Sequence, residues 1–547
     1  MLLKSLIKIV SKKSRSGFFK RSVYSLIAAA FLTTGCTMVG PDFVKPQAPV
    51  AAQWMESGKS EIKTEASEYR QWWTVFKDPV LTDLVETAYR QNLPLQISGL
   101  RILQARAQLG IVVGNLYPQL QQGRGAAKYS SISDNAPNSL GADDSYWQYN
   151  AGFDAAWELD IWGKYRRAVE SGVANLETSI ASYDDILVTL TAEVARTYVV
   201  MRTFEERLEI ARQNVNIQER SLQIAEVRFK AGAVTELDVA QARSLLRDTE
   251  ASIPRFEAVI RQAKNALAVL LGKLPGEIDY MIGGQRVIPA APPEVVVDIP
   301  AELMRRRPDI QLAEYQIATQ TPLIGASKAE LYPAFQLAGS IGLATSTSKN
   351  TNAGGPDGSS FSDLFDSDSI EFFGGPSFSW NLFNYGRIKN QVRTEDALLQ
   401  QLIVSYTDTV LKAHQEVEDS LVGFLRKQQE AAYLQDSVKA SQRSVELSML
   451  QYKEGMVDYQ RVLDSQRFLA SEQDFWTATR GDAIVNLVAL YKALGGGWQI
   501  REGKDFVSKE NIEEMQKRTD WGDLLMPKAL ETPAAADERK QWRRPDW

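Results

Sequence analysis

The sequence predicts an α+β membrane protein built as an internal tandem repeat, in which each chain gives four β-strands to a shared barrel and two very long helices to a helical tube. Three observations predict this fold. The chain repeats itself at a nearly constant offset, each half contains a proline-free segment of 67 residues, and strand-like alternation precedes each of those segments. The composition, 547 residues that are 44% hydrophobic and 24% charged, is that of a folded protein.

Composition excludes several classes of function. A single Cys rules out an intramolecular disulfide framework and CxxC metal or redox sites, and a single His makes a His-rich metal centre implausible. No apolar run of about 18 residues follows the N-terminal region, so no ordinary transmembrane helix is expected. Residues 1–35 contain seven of the 62 basic residues and no acid, which leaves 55 basic against 68 acidic residues, a net charge of −13. This balance argues against nucleic-acid binding.

The N-terminus predicts a secretory signal peptide over residues 1–35. Its basic stretch is followed by an apolar run over 23–32 and then by small residues. Cys36 stands at the cleavage point, as in a bacterial lipobox, although Thr33 replaces the aliphatic residue expected there. We predict a covalent lipid on Cys36, with an incidental free Cys as the alternative. Thr37 is not the Asp that would favour retention in the inner membrane, so the outer membrane is expected.

The duplication sets the domain organisation. Residues 115–118 match 330–333 at an offset of 215, whereas 229–232 match 452–455 at an offset of 223. The change places an eight-residue insertion in the second half, in a polar loop around 345–358. The predicted units are an N-terminal extension over 36–69, a first repeat over 70–280, a linker over 281–297, a second repeat over 298–498 and a charged, extended or partly disordered tail over 499–547.

In each repeat, the sequence predicts a helix, two strands and a long helical hairpin. The segments 163–229 and 386–452 lack proline and carry apolar residues at helical spacing. Each would be roughly 100 Å long at 1.5 Å per residue. Such helices must pack against neighbours, because a lone amphipathic helix leaves its apolar stripe in water. Return helices are predicted over 235–271 and 458–494.

The predicted strands alternate between an apolar and a polar face. Over 146–160, Trp147, Phe153 and Trp157 fall on one face, with Asp154 and Glu158 on the other. Strands over 334–344 and 372–382 follow the same pattern, and a strand over 119–130 alternates poorly. A soluble sandwich would also alternate, but aromatic residues near both ends of a strand favour the girdles of an outer-membrane barrel.

Stoichiometry follows from the number of strands. Four strands cannot close a barrel, since about eight is the smallest practical number. Open sheet edges are not tolerated in lipid. The chain must therefore oligomerise, and three copies would give a trimeric 12-stranded barrel with the polar strand face around a water-filled lumen. The long helices would continue it as a tube.

Several sequence motifs, which occur in a fixed order along the chain, indicate a family resemblance. They are Gly40-Pro41-Asp42-Phe43 after the predicted lipid site, the segment 305–310 (RRRPDI), the segment 378–383 (FSWNLF) and the segment 493–498 (ALGGGW). With the duplication, the chain resembles the TolC-like outer-membrane efflux factors, in particular the lipoprotein branch of OprM, CusC and NodT-like proteins, from Cys36 to about Trp498.

The resemblance implies a homotrimer with a 12-stranded barrel in outer-membrane lipid and a long periplasmic α-helical barrel. It also implies a tripartite system, in which a periplasmic adaptor and an inner-membrane transporter drive export through this duct. A type I secretion duct and a trimeric coiled-coil surface protein remain alternatives. The paired strands in each repeat argue against the surface protein.

The hairpin tips are the candidate gate. The resemblance implies that acidic residues following the tip glycine line the closed aperture, and Asp464 matches that position. Asp238, Asp458 and Arg461 are the other candidates, with Arg461 departing from the acidic pattern. Threefold symmetry would bring three Asp464 carboxylates together and favour cations. The alternative is that these acids cap helices or pair with basic residues.

The same tips are candidates for adaptor docking. Gly232 and Gly455 can supply the left-handed turn that ends a helix, which would expose the loops at Ala233 and Met456. The alternative is that both glycines only cap their helices.

We expect no enzyme activity, metal or cofactor beyond the lipid. No GxSxG, P-loop or HExxH pattern occurs. His414 lies near Glu416 and Glu418, where a packed helix residue is the simpler interpretation than a proton or metal role. Asp184 and Asp185 could form a carboxylate pair, but adjacent helix residues point in different directions.

Overall fold

The computed structural model describes residues 38–525 except 57, 60–61, 64–68, 134, 136–142, 144, 284–285, 293–294, 297–299, 301–305 and 349–358. The predicted signal peptide and the lipid site Cys36 lie outside the described residues, as do residues 526–547. Within the described ranges, no helix is both long and apolar enough to cross a membrane.

The first repeat opens with two helices, where the sequence analysis predicted one. They are α1 (Pro79–Gln91) and α2 (Leu93–Gly114). The chain breaks at Asn92, whose side chain accepts a hydrogen bond from the backbone N–H of Leu95 at 2.9 Å. This cap satisfies one of the donors that a helix start leaves unpaired. In the second repeat, α5 (Pro308–Ala329) occupies the place that corresponds to α2 at the offset of 215, and the segment that corresponds to α1 lies largely outside the described residues.

Four strands form one antiparallel sheet across the two repeats. Strands β1 (Leu120–Ser131) and β2 (Ser145–Leu159) come from the first repeat, and β3 (Ala334–Ser346) and β4 (Ile370–Ser379) come from the second. The order is β1-β2-β3-β4, so β1 and β4 are edges. The poorly alternating segment is a strand that pairs with β2 over its whole length. The predicted insertion loop around 345–358 lies largely outside the described residues, and two short 3-10 turns (361–365 and 367–369) precede β4.

The two faces of the sheet differ in chemistry. Phe153, Ile341 and Phe372 lie directly opposite one another across β2, β3 and β4. They are 71%, 59% and 80% exposed in the single chain. A soluble sandwich would bury such a row, so the exposure favours the predicted lipid-facing surface.

Two helical hairpins form the other end of the molecule. The long helices α3 (Lys164–Lys230) and α6 (Arg387–Lys453) have 67 residues each. They return as α4 (Glu236–Leu270) and α7 (Tyr459–Ala493), with 35 residues each. The α3 helix packs against α4, α5 and α7, and α6 packs against α5 and α7. The bounds of both hairpins lie within one or two residues of those that the sequence predicts.

A buried arginine explains the RRRPDI motif. Arg307 donates to the carbonyl of Ala493, at the end of α7, at 2.8 Å, and to Asp309 and Glu416 at 2.7 Å each. Burial alone would lower its pKa, but the bonds to Asp309 and Glu416 raise it instead. Arg307 therefore ties the start of the second repeat to both of its long helices.

A second buried arginine holds the N-terminal segment. Arg167, near the start of α3, donates to the carbonyls of Val39 and Gly40 at 3.3 and 3.4 Å and to Asp42 at 2.8 Å. The GPDF motif is thus bound where β2 passes into α3. Cys36 is two residues before the first described residue, so the predicted lipid site lies close in sequence to this junction.

The structure differs from the expected extended tail over residues 499–525. A short helix, α8 (Lys509–Arg518), forms there, and Ile500, Phe506 and Val507 are buried in the main core. Arg501 forms a bidentate pair with Asp184 of α3, with one N–O distance of 2.6 Å. Sparse apolar residues in a polar segment bury against a preformed core, which composition alone does not reveal.

Candidate functional site

The hairpin tips begin with left-handed glycines, as the sequence predicts. Gly232 has φ of 72° and Gly455 has φ of 75°. The N–H of Ala233 bonds the carbonyl of Arg228 at 2.9 Å, and the N–H of Met456 bonds that of Gln451 at 2.8 Å. These bonds close the last turns of α3 and α6 and supply partners for carbonyls that a helix end leaves free.

Both tips present apolar side chains to solvent. Met456 is 73% exposed and Leu237 is 63% exposed, while the space beside Gly232 is open to at least 4 Å. Ala233 is also exposed. An exposed apolar tip on a long hairpin is a feature of contact surfaces. The geometry therefore leaves the predicted docking positions accessible.

Two of the candidate aperture acids cap helices. Asp238 forms a capping box with Thr235 and accepts the Thr235 backbone N–H at 3.3 Å. Asp458 is the N-cap of α7 and accepts the backbone N–H of Arg461 at 3.3 Å. This is the alternative weighed for them, and their negative charges also suit the positive ends of these helices.

Asp464 differs from those two acids. It is exposed, lies beyond the first turn of α7 and accepts one hydrogen bond, from the Gln460 side-chain amide at 2.9 Å. Within the described ranges, neither Asp464 nor Arg461 takes part in an ion pair, and Arg243 pairs with Glu226 at 3.1 Å. The Asp464 carboxylate is thus accessible to an ion or to a neighbouring copy.

The first hairpin is attached to the second at the tips. Arg228 of α3 donates to the carbonyl of Tyr452 and to that of Lys453, and its guanidinium lies 4.6 Å from the centroid of the Tyr452 ring. A cation placed at the C-terminal end of α6 complements the negative end of that helix. Arg228 therefore caps a helix of the other repeat.

Two tyrosines complete this contact. The Tyr459 hydroxyl is 3.0 Å from the Ser221 hydroxyl of α3, and the Tyr452 and Tyr459 rings meet edge to face at 5.3 Å. Burial raises the pKa of Tyr459, which keeps the phenol protonated. Packed around the pair are Ala225, Val239, Ala242, Leu245, Val462 and Leu463.

Sequence reasoning missed this contact, which joins residues more than 220 positions apart. One signal was present. At the offset of 223, Arg228 corresponds to Gln451 and Tyr459 to Glu236, so the repeats differ at the contact. Further along the hairpins, Arg207 and Asp474 form a bidentate pair at 2.7 and 2.8 Å, and Asn214 donates to Gln473 at 2.9 Å.

His414, Asp184 and Asp185, the titratable residues that could have carried a proton or metal role, lie in packed or ion-paired surroundings. His414 bonds the carbonyl of Val410 through Nδ1 at 2.9 Å, and its ring centroid is 5.7 Å from that of Trp54. Burial raises the pKa of Asp184 to about 6, although its bonds to Arg501 lower it. Asp185 does not share that partner. No cluster of potential metal ligands occurs in the part of the chain that the structure describes.

Comparison with known proteins agrees with this architecture. The family described as "Outer membrane efflux protein" matches residues 84–273 and 299–496. The probable outer membrane lipoprotein SilC of Salmonella typhimurium is 28% identical, covering 88% of this chain and 99% of the relative. The pyoverdine export outer membrane protein OpmQ of Pseudomonas aeruginosa is 29% identical, covering 87% and 97%. The solvent efflux pump outer membrane protein SrpC of Pseudomonas putida is 30% identical, covering 87% and 98%.

Solved structures show the same fold. The outer-membrane channel OprN superposes with a TM-score of 0.77 at 30% identity, covering 84% of this chain and 99% of that one. CusC superposes with a TM-score of 0.70 at 25% identity, covering 84% and 100%. The family match spans both repeats. The chain belongs to the outer membrane efflux protein family.

Proposed function

We propose that three copies of this chain form the outer-membrane duct of a tripartite efflux system, conducting substrates passively from the periplasm to the exterior. One observation carries the proposal: a four-stranded sheet with an exposed apolar face and two open edges is joined to helical hairpins of 67 and 35 residues. The sheet suits a barrel in lipid, and the hairpins suit a tube below it. The efflux channels of the family support the same reading.

Edge strands support the homotrimer. Strand β4 of one copy can pair with β1 of the next, and three such junctions would close 12 strands without an edge. The row formed by Phe153, Ile341 and Phe372 would then face lipid. The opposite face, which carries Arg124 and Asp154, would line the lumen.

The gate is proposed at the tips of the second hairpin. Asp464 is exposed and has no ion-pair partner among the described residues, so three copies around an axis would form a ring that favours cations. Asp238 and Asp458 stabilise the helix starts beside it, and Arg461 moderates the local charge. Opening would require the hairpins to part, which the Arg228 contact with Tyr452 opposes.

The partners are a periplasmic adaptor at the tips and an inner-membrane transporter beyond it. The exposed tips at Gly232, Ala233, Gly455 and Met456 are the proposed docking surface. A lipid on Cys36 would anchor the chain in outer-membrane lipid, with burial of each acyl CH₂ worth about 0.8 kcal/mol. Arg167 would keep that anchor beside the barrel. No catalytic step or cofactor is proposed.

The test combines mass with conductance. Detergent-solubilised protein should have the mass of three protomers by light scattering, and it should form stepwise ion conductance in planar bilayers. A monomer would contradict the barrel. A trimer that never conducts would favour the coiled-coil surface protein. A type I secretion duct shares the architecture, so export of a protein rather than of small solutes by the assembled system would favour that alternative.

A further inference from the structure

The polar face of the sheet carries one side chain that crosses all four strands. Arg124 lies on the edge strand β1, and its register partners are Gly152 on β2, Gly342 on β3 and Glu371 on the other edge strand, β4. Residues directly opposite in a sheet share a face. A long side chain at Arg124 therefore meets two positions without side chains before it meets Glu371.

The Arg124 side chain makes contacts along this row of register partners. Its Nε lies 3.4 Å from the Asp154 carboxylate, and its Nη2 donates to the Ser340 hydroxyl at 3.2 Å and lies 3.8 Å from the Glu371 carboxylate. One guanidinium thus reaches acceptors on three strands. Its planar set of donors suits several acceptors at once better than a single ammonium would.

The two glycines are required for this path. A Cβ on Gly152 would fall 2.8 Å from the Gly342 Cα, and a Cβ on Gly342 would fall 3.1 Å from the Gly152 Cα. Any side chain there would both crowd the neighbouring strand and block the guanidinium. The glycines therefore serve the crossing of Arg124 as well as the close approach of the strands.

Arg124 offsets part of the negative charge that the neighbouring acids place on this face of the sheet. Asp154 and Glu371 bring two negative charges and Arg124 one positive charge, so the cluster has a net charge of −1 per chain. The Asp154 side chain is 21% exposed and that of Glu371 is 54% exposed, so a passing ion would sense both. Without Arg124 the level would carry −2 per chain.

We propose that Arg124 is a selectivity-determining residue of the barrel lumen, where it offsets Asp154 and Glu371 in a collar midway along β1, β2 and β3. The inference rests on the proposed trimeric duct and lies far from the aperture residue Asp464. The collar would exclude small anionic solutes less strongly than an uncompensated acidic ring would. The barrel and the aperture would then be two separate charge filters in series.

The test is the K⁺/Cl⁻ permeability ratio, taken from reversal potentials in a KCl gradient across planar bilayers. All variants carry Asp464→Asn, which removes the aperture charge. At separations of about 8 Å in water, losing one charge should change the ratio about twofold. Arg124→Gln should raise the ratio by at least this factor. Asp154→Asn with Glu371→Gln should lower it, so the two variants shift in opposite directions.

Arg518→Gln in α8 removes the same charge outside the sheet and should leave the ratio unchanged. Channels with an unchanged ratio in both lumen variants would overturn the role of Arg124 while leaving the proposed duct intact. Absence of any conductance from the Asp464→Asn parent would overturn the duct itself, and the collar with it. If Arg124→Gln fails to assemble, the double acid variant decides through its opposite shift.

Discussion

Replacing Arg228 tests how strongly the two hairpins are held together at their tips. Arg228→Met keeps an unbranched side chain of similar bulk along the stem. It removes the guanidinium, and with it the bonds to the carbonyls of Tyr452 and Lys453 and the stacking on the Tyr452 ring. Tyr452 provides the matched control. Its hydroxyl is buried and has no hydrogen-bond partner among the described residues, so Tyr452→Phe leaves the contact with Arg228 in place.

The magnitude follows from these contacts. A hydrogen bond from a charged donor is worth about 1.5–3 kcal/mol, and a cation over an aromatic ring adds about 0.5–1 kcal/mol at an exposed site. Arg228 is half-buried, so we take about 2 kcal/mol for the whole contact. Since 1.4 kcal/mol is about a tenfold change in an equilibrium, the parted state should gain about 30-fold in each chain.

Single-channel recording measures this shift. Arg228→Met should increase the open probability, or the conductance of the resting channel, by an order of magnitude or more, while Tyr452→Phe should behave as the wild type. If Arg228→Met channels gate like the wild type, the contact does not hold the closed state. If Tyr452→Phe opens the channel as far as Arg228→Met does, the effect comes from loosened packing and not from the capping bonds.

Three further predictions use other parts of the structure. Asp464→Asn should weaken the cation preference of the wild-type channel and its block by multivalent cations, as measured in planar bilayers. Cysteines placed at Ala233 and Met456 should crosslink to the adaptor, and a lack of crosslinks at both would count against docking at the tips. Arg307→Met should lower the free energy of unfolding of the trimer by about 1.5–3 kcal/mol, because it removes the charged hydrogen bonds to Asp309, Glu416 and the carbonyl of Ala493. A thermal melt in detergent measures the loss.

The duplication made most of the fold predictable. A motif found twice at a fixed offset gives the boundaries of an element two independent determinations, which is why α3 and α6 were predicted to within a residue. The edge strand β1 was harder to predict from alternation. Its segment 123–127 contains glycines and alanines together with Arg124, and its assignment becomes clear only from the pairing with β2.

Contacts between distant residues could not be predicted in the same way. In the sequence, Arg228 is a basic residue in the last turn of a predicted helix, as is common. Only the packing of the two hairpins shows that it caps α6. The split at Asn92 was readable, since Asn followed two residues later by Pro is a helix-start signal. The fold of residues 499–525 was not, because Arg501 depends on a carboxylate more than 300 positions away.

The tips show where the two repeats have taken different roles. Position 464 carries an exposed acid, while its counterpart in the first repeat is Gln241. Position 228 carries the capping arginine, while its counterpart is Gln451. Asp464 therefore belongs to the second hairpin, whereas Arg228, which caps α6 of that hairpin, belongs to the first. If the second hairpin lines the aperture, a change at Arg228 should alter gating with little change in ion preference, and a change at Asp464 should alter ion preference with little change in gating. Variants that alter both properties equally would show that charge and restraint are not separated between the repeats.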